Sequence, residues 1–183
     1  MGSVRAWRSL SLVLLVALVA VTTTATLASP IGHEGGSVKK VKVVTESVAN
    51  SVDTGGVFAA QLPGATISMR VPDGTQALFL IRFSAESACY GRVAGWCSIQ
   101  ILVGGQEAAP GGGENYAFDS VNPEGSHDYE AHAAERVAGP LGPGTYTVKV
   151  QRTIHLTDDP PFLGQSVFRL DDWTLAVERI EVG

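Results

Sequence analysis

At 183 residues, 45% of them hydrophobic, the chain is long enough for one domain of ordinary size and too short for two comfortable ones. Its formal net charge of −5 moves to −7 when Arg5 and Arg8 are set aside with the first 28 residues, none of which is acidic. A net-negative domain without a broad Lys/Arg cluster repels phosphate backbones and anionic lipid, which excludes nucleic acid and membrane surfaces as expected partners of the domain.

The first element in the chain is an export signal. Arg5 and Arg8 precede an apolar run from Leu10 to Val21 that only Ser11 interrupts. The run has the length of a signal-peptide core and falls short of the roughly 20 residues of a membrane-spanning helix. Thr26 and Ala28 place small residues before a cleavage point after Ala28. Residues 1–28 are therefore expected to be a signal peptide and the product to be secreted to the extracellular space, without membrane contact after cleavage. Residues 29–37, small and polar, are expected to be a flexible leader, and residues 38–183 a single domain.

From Val38 the pattern is that of strands. Strand signals occur at 38–48, 65–71, 76–84, 97–105, 114–120, 146–154 and 165–182, with turn signals at 62–64, 72–74, 104–105, 110–113 and 139–144. Tyr146, Val148 and Val150 alternate with polar neighbours, as do Trp173, Leu175 and Val177. The run QALFLIRF is apolar on both faces and predicts a central strand covered on both sides. Ile180 and Val182 fall out of phase with Val177, so a β-bulge near Glu178 or Arg179 is expected to keep them inward. Residues 127–139 hold helix-forming alanines without a helical stripe, and are read as strand. Together these elements predict an all-β fold, a β-sandwich of jelly-roll type.

Cys89 and Cys97 are the chain's two cysteines, and export would expose them to an oxidising compartment. Gly91 and Gly95 between them let the chain reverse, so a structural disulfide is expected to staple the neck of a hairpin. Tyr90 and Trp96 flank that segment, where exposed aromatics would stack on a sugar or anchor a protein. They are the candidate binding residues.

Other constellations carry less. His127, Glu130, His132 and Glu135 are the best metal candidates, but as a strand His127 and His132 face opposite sides, so no metal site is expected. Paired carboxylates at Asp158–Asp159 and Asp171–Asp172, with Asp119, admit Ca²⁺ without the spacing of a calcium loop; no other cofactor is implied. Glu86, Glu130, Glu135 and Glu178 are the acids a glycosidase cleft would draw on. Nucleophile signatures are missing, and no catalytic residue is assigned. Arg82, set among Leu80, Ile81 and Phe83, predicts a buried ion pair, with Glu86 as its local partner and the carboxylates near Trp173 as others. Lys39, Lys40 and Lys42 read as a solvated strand edge.

The run GPGTYTVKV, followed by FRLDDWTLAVE, resembles the last strands of the C1q and tumour-necrosis-factor-like jelly rolls, where Gly-x-Tyr leads an alternating inward strand. That resemblance implies a secreted, trimeric binding domain. The chain departs from the pattern at Val148 and Val150, where aromatics stand in that family, and at Ala138. The whole chain resembles small exported β-sandwich proteins of actinobacteria, a likeness that implies no particular activity. The expected function is a secreted, non-enzymatic module that binds an extracellular protein or glycan, or assembles into a homo-oligomer. The alternative is a carbohydrate-active or metal-assisted hydrolase, for which three or more of these carboxylates and histidines must converge in one pocket.

Overall fold

The computed structural model describes residues 32, 36–53, 60–91, 95–121, 128–156 and 166–182. The expected signal peptide, most of the leader, His127, and residues 92–94 and 158–159 lie outside them. Where β-branched and aromatic residues alternate with polar ones the chain is extended. The strands are β1 (Val38–Glu46), β2 (Asn50–Asp53), β3 (Ala60–Val71), β4 (Gln76–Gly91), β5 (Gly95–Val103), β6 (Gln106–Glu107), β7 (Asp119–Ser120), β8 (Glu130–Leu141), β9 (Gly144–Leu156) and β10 (Ser166–Val182), with one 3₁₀ turn at Gly113–Asn115.

Two antiparallel sheets result, ordered β1-β10-β4-β8 and β3-β9-β5-β6, with β2 pairing β10 and β7 pairing β5. With the short β2 and β7 set aside, the first strand pairs with the last, the second with the second-last, and so inward to β5 and β6. A long antiparallel hairpin rolled so that successive portions fall in opposite sheets has this pairing. It is a jelly roll, and the expected all-β sandwich is the fold.

The two inner faces meet in one core. Ile67 and Met69 of β3, Phe79, Ile81 and Phe83 of β4, Ile99 and Ile101 of β5, and Val148 and Val150 of β9 are buried there with Phe168, Leu170, Trp173 and Leu175 of β10. Phe83 lies among other aromatics, its ring centroid 5.8 Å from Phe118 and 6.3 Å from Trp173. Truncating a Phe buried in this way to Ala costs about 3–5 kcal/mol.

Three expectations are corrected. The bulge in β10 falls earlier than expected: Asp171 pairs with Glu86 and Thr174 with Ser84, so β10 carries one extra residue there. Asp172 takes it up at φ 42°, and the inward parity passes from Phe168 and Leu170 to Trp173, Leu175 and Val177. Ile180 and Val182 consequently stay on the outer face, half-buried. The Leu62–Gly64 turn signal is an irregularity inside β3, where Leu62 and Ala65 are buried while Pro63 and Gly64 arc outward over Trp173. β4 is central, but on its outer face Arg82, Ser84 and Glu86 are exposed while Leu78 and Ala88 are buried. Ahead of β1, Gly36 N–H donates to the Glu181 carbonyl (2.9 Å), and Glu181 N–H donates to that of Ser37 (3.2 Å).

The disulfide forms, with Cα atoms 5.9 Å apart, but it is not the neck of a hairpin. β4 and β5 belong to opposite sheets, so Cys89 and Cys97 join the two layers across the core, both buried.

Candidate functional site

Edge strands decide what a sandwich offers at its sides, because their outer backbone groups lack a neighbour. In the first sheet the edges are β1 and β8.

β1 lies beside β3 on a basic flank. Val44 is the one half-buried residue of β1, and Val38, Val41 and Val43 are each more than half exposed (51%, 52% and 54%). Pairing with β10 sets the faces. Lys40, Lys42 and Val44 stand opposite Arg179, Val177 and Leu175 on the inner side, and Val41 and Val43 stand opposite Glu178 and Ala176 on the outer. Lys42 Nζ donates to the Ser68 carbonyl of β3 (2.7 Å), and Arg179 Nη1 to that of Arg70 (2.6 Å). Lys39, Lys40, Lys42, Arg70 and Arg179 thus gather here, in a chain that is acidic overall. Asp73 meets Arg70 at 3.4 Å in a solvent-exposed pair.

β8 forms an acidic flank. Val137 exchanges two backbone hydrogen bonds with Ala109 (2.7 and 2.8 Å), so a bridge from beyond β6 closes the edge at that point. From Glu130 to Arg136 no described backbone group pairs with the outer edge. Glu130, Ala131, Ala133 and Glu135 are exposed along it. On its inner side His132 Nε2 is buried and without a hydrogen bond, 3.6 Å from a Glu130 carboxylate oxygen and 3.9 Å from Asp119 Oδ1. The Asp119 carboxylate is held by the buried Ser87 hydroxyl (2.7 Å) and by Ser120 N–H (2.7 Å). Further along, the Arg136 guanidinium lies 4.2 Å over the Tyr116 ring and donates to its neighbour's carbonyl.

The sequence-derived candidates are dispersed. Cys89 points inward, so Tyr90 projects from the outer face of one sheet; Cys97 points inward, so Trp96 projects from the outer face of the other. Both are half-buried, and Trp96 stacks on His155 with centroids 4.0 Å apart. Glu130, His132 and Asp119 do approach one another, yet among the described residues no three His, Cys, Asp or Glu side chains are placed to hold a metal ion together. Asp171 and Asp172 sit at the β10 bulge, beside an open groove of about 320 Å³ lined by Thr45, Glu46, Ser47, Asp172, Trp173 and Thr174. Glu86 lies on an outer face, whereas Glu135 and Glu178 are both engaged by Arg82, so the four glutamates line no common cleft.

Arg82 is a correction. Its side chain is 53% exposed and pairs across strands with Glu135 (3.2 Å) and Glu178 (2.7 Å), not with Glu86 in a dry core. Those two carboxylates hold its guanidinium above its ordinary pKa. The buried arginine is Arg152, 4% exposed, whose guanidinium crosses from β9 to β2. Burial lowers its pKa. The signal for it was present: Arg152 continues the inward phase of Val148 and Val150.

No family model matches the chain. No curated protein matches it either.

Proposed function

We infer that this chain is an exported, non-enzymatic β-sandwich module that binds another polypeptide along the free edges of its first sheet. The observation that carries the reading is β1, a nine-residue edge strand exposed along nearly all its length. Among the described residues no strand pairs with its outer backbone, which suits it to strand addition, a mode in which main-chain hydrogen bonds supply affinity and alternate side chains supply specificity. A strand edge recognises backbone, which favours a protein over a glycan among extracellular partners. The inter-sheet disulfide supports export, since such bonds persist in oxidising compartments. The Leu10–Val21 run supports it further.

The test uses cell envelopes of the producing strain. Binding that survives glycan digestion, is lost after protease treatment, and is lost in the Lys40→Glu/Lys42→Glu variant is the expected result. Binding abolished by glycan digestion alone would overturn the choice of partner. Release of sugars or peptides from the envelopes by the pure protein would overturn the non-enzymatic reading.

A further inference from the structure

We propose that the polypeptide bound at the edge is a second copy of this chain, joined head to tail, with β1 of one copy added to β8 of the next. The inference rests on the strand-edge reading above and names its partner.

Direction comes first. All pairings in the order β1-β10-β4-β8 are antiparallel, so β1 and β8 run in opposite senses. A second copy placed beside the first in the same orientation therefore brings β8 antiparallel to β1 and continues the sheet. The side chains then match face by face. In the register that sets Lys42 opposite Glu130 and Lys40 opposite His132, the exposed Val41 meets the exposed Ala131 on the outer side, and Val43 meets the exposed Tyr129 just before β8. On the inner side, Lys40 and Lys42 meet Glu130 and the His132–Asp119 pair, where His132 Nε2 lacks a hydrogen-bond partner.

Charge also selects the mode. A two-fold dimer through β1 alone, antiparallel about Val41, would set Lys40 against Lys42. Like charges directly opposed across strands are unfavourable. Inward-directed lysines on an edge are a known guard against like edges; here they reject a second β1 and admit an acidic β8. The contact uses different surfaces on each copy, so it is heterologous, and in-plane addition does not close it into a ring. Among the described residues, the Val137–Ala109 bridge leaves Glu130–Arg136 unpaired on the outer edge, a length that suits the lysine-bearing half of β1.

Sedimentation velocity on protein purified after expression of the full chain tests this. At low salt the weight-average mass should rise several-fold above the monomer as concentration is raised to about millimolar, and fall back in molar salt as the charges are screened. Lys40→Glu/Lys42→Glu carries two acidic edges, and Glu130→Lys carries two basic ones. Each variant should remain a monomer, with its near-ultraviolet circular dichroism unchanged to show that it is folded. A one-to-one mixture should recover the association, because each altered edge then meets its opposite. Wild-type protein that stays monomeric at every concentration overturns the proposal, and envelope binding through β1 would then still stand by itself. Association that persists in both variants, or fails to return in the mixture, overturns the edge assignment.

Discussion

Arg152 and Arg82 show how differently two arginines in one sandwich act. Arg152 reaches from β9 into the opposite sheet and donates to the Asn50 and Ser51 carbonyls at 2.9 and 3.2 Å, and to the Asn50 side chain. Hydrogen bonds from a buried cation are strong, and removing the donor leaves acceptors without partners. Arg152→Met is expected to destabilise the fold by about 2–4 kcal/mol, read as a lowered urea midpoint with an unchanged slope. Arg82 bridges Glu135 and Glu178 in open solvent, where water screens the attraction and ordering the side chains opposes it. Arg82→Ala should leave the midpoint nearly where it was, and molar salt should erase what difference remains. A midpoint that falls as far for Arg82→Ala as for Arg152→Met would contradict this assignment.

At the scale of elements, the bulge at Asp171–Trp173 sets the register of the longest strand. It is what lets Phe168 and Leu170 share a core with Trp173, Leu175 and Val177 despite their opposite parity. Deleting Asp172 would turn one of these two sets to solvent, since a one-residue slip exchanges the faces of a strand. Loss of the native near-ultraviolet circular dichroism and of amide dispersion is the expected outcome. Gly139 has a comparable constraint in β8: its φ is +123°, and a Cβ there would lie 2.7 Å from the Ala77 carbonyl oxygen. The disulfide acts between elements, tying β4 to β5 across the sandwich. In the chain-entropy account a loop closed over a separation of eight residues contributes about 2–3 kcal/mol. Cys89→Ala/Cys97→Ala should lose about that much and still fold, because the buried core of both sheets extends well beyond the two cysteines.

Across the described strands, the two rims of the first sheet differ in the charges they gather, although each also holds charges of the other sign. β1 and its neighbours β3 and β10 gather five cations on one flank, while Glu130, Glu135 and Asp119 mark the other. Lys40 and Lys42 are exposed, so exchanging them for glutamate should move the stability of the monomer by no more than about 0.5 kcal/mol while abolishing association. Equilibrium unfolding at low concentration checks the first part and sedimentation the second. The difference arises from pairing order alone: β1 and β8 are far apart in sequence, and they become the two rims of one sheet because β10 and β4 lie between them.

Fold class was legible in the sequence because alternation with period two is a local property of each strand. Residues 146–154 and the two halves of β10 showed it directly, and two cysteines without alternatives left one pairing. Tertiary structure decided what depends on partners distant in the chain. The position of the β10 bulge follows from the register against β4, which no local pattern records. That the disulfide spans two sheets, that Tyr90 and Trp96 face away from each other, and that Arg82 is solvated all follow from which strands became neighbours. The β-sandwich was readable as composition and period. The basic edge was legible in Lys39, Lys40 and Lys42, but that β8 forms the opposite rim, and the edge pairing proposed for the two, were not, since the partners of an edge are fixed only once every other strand has found its place.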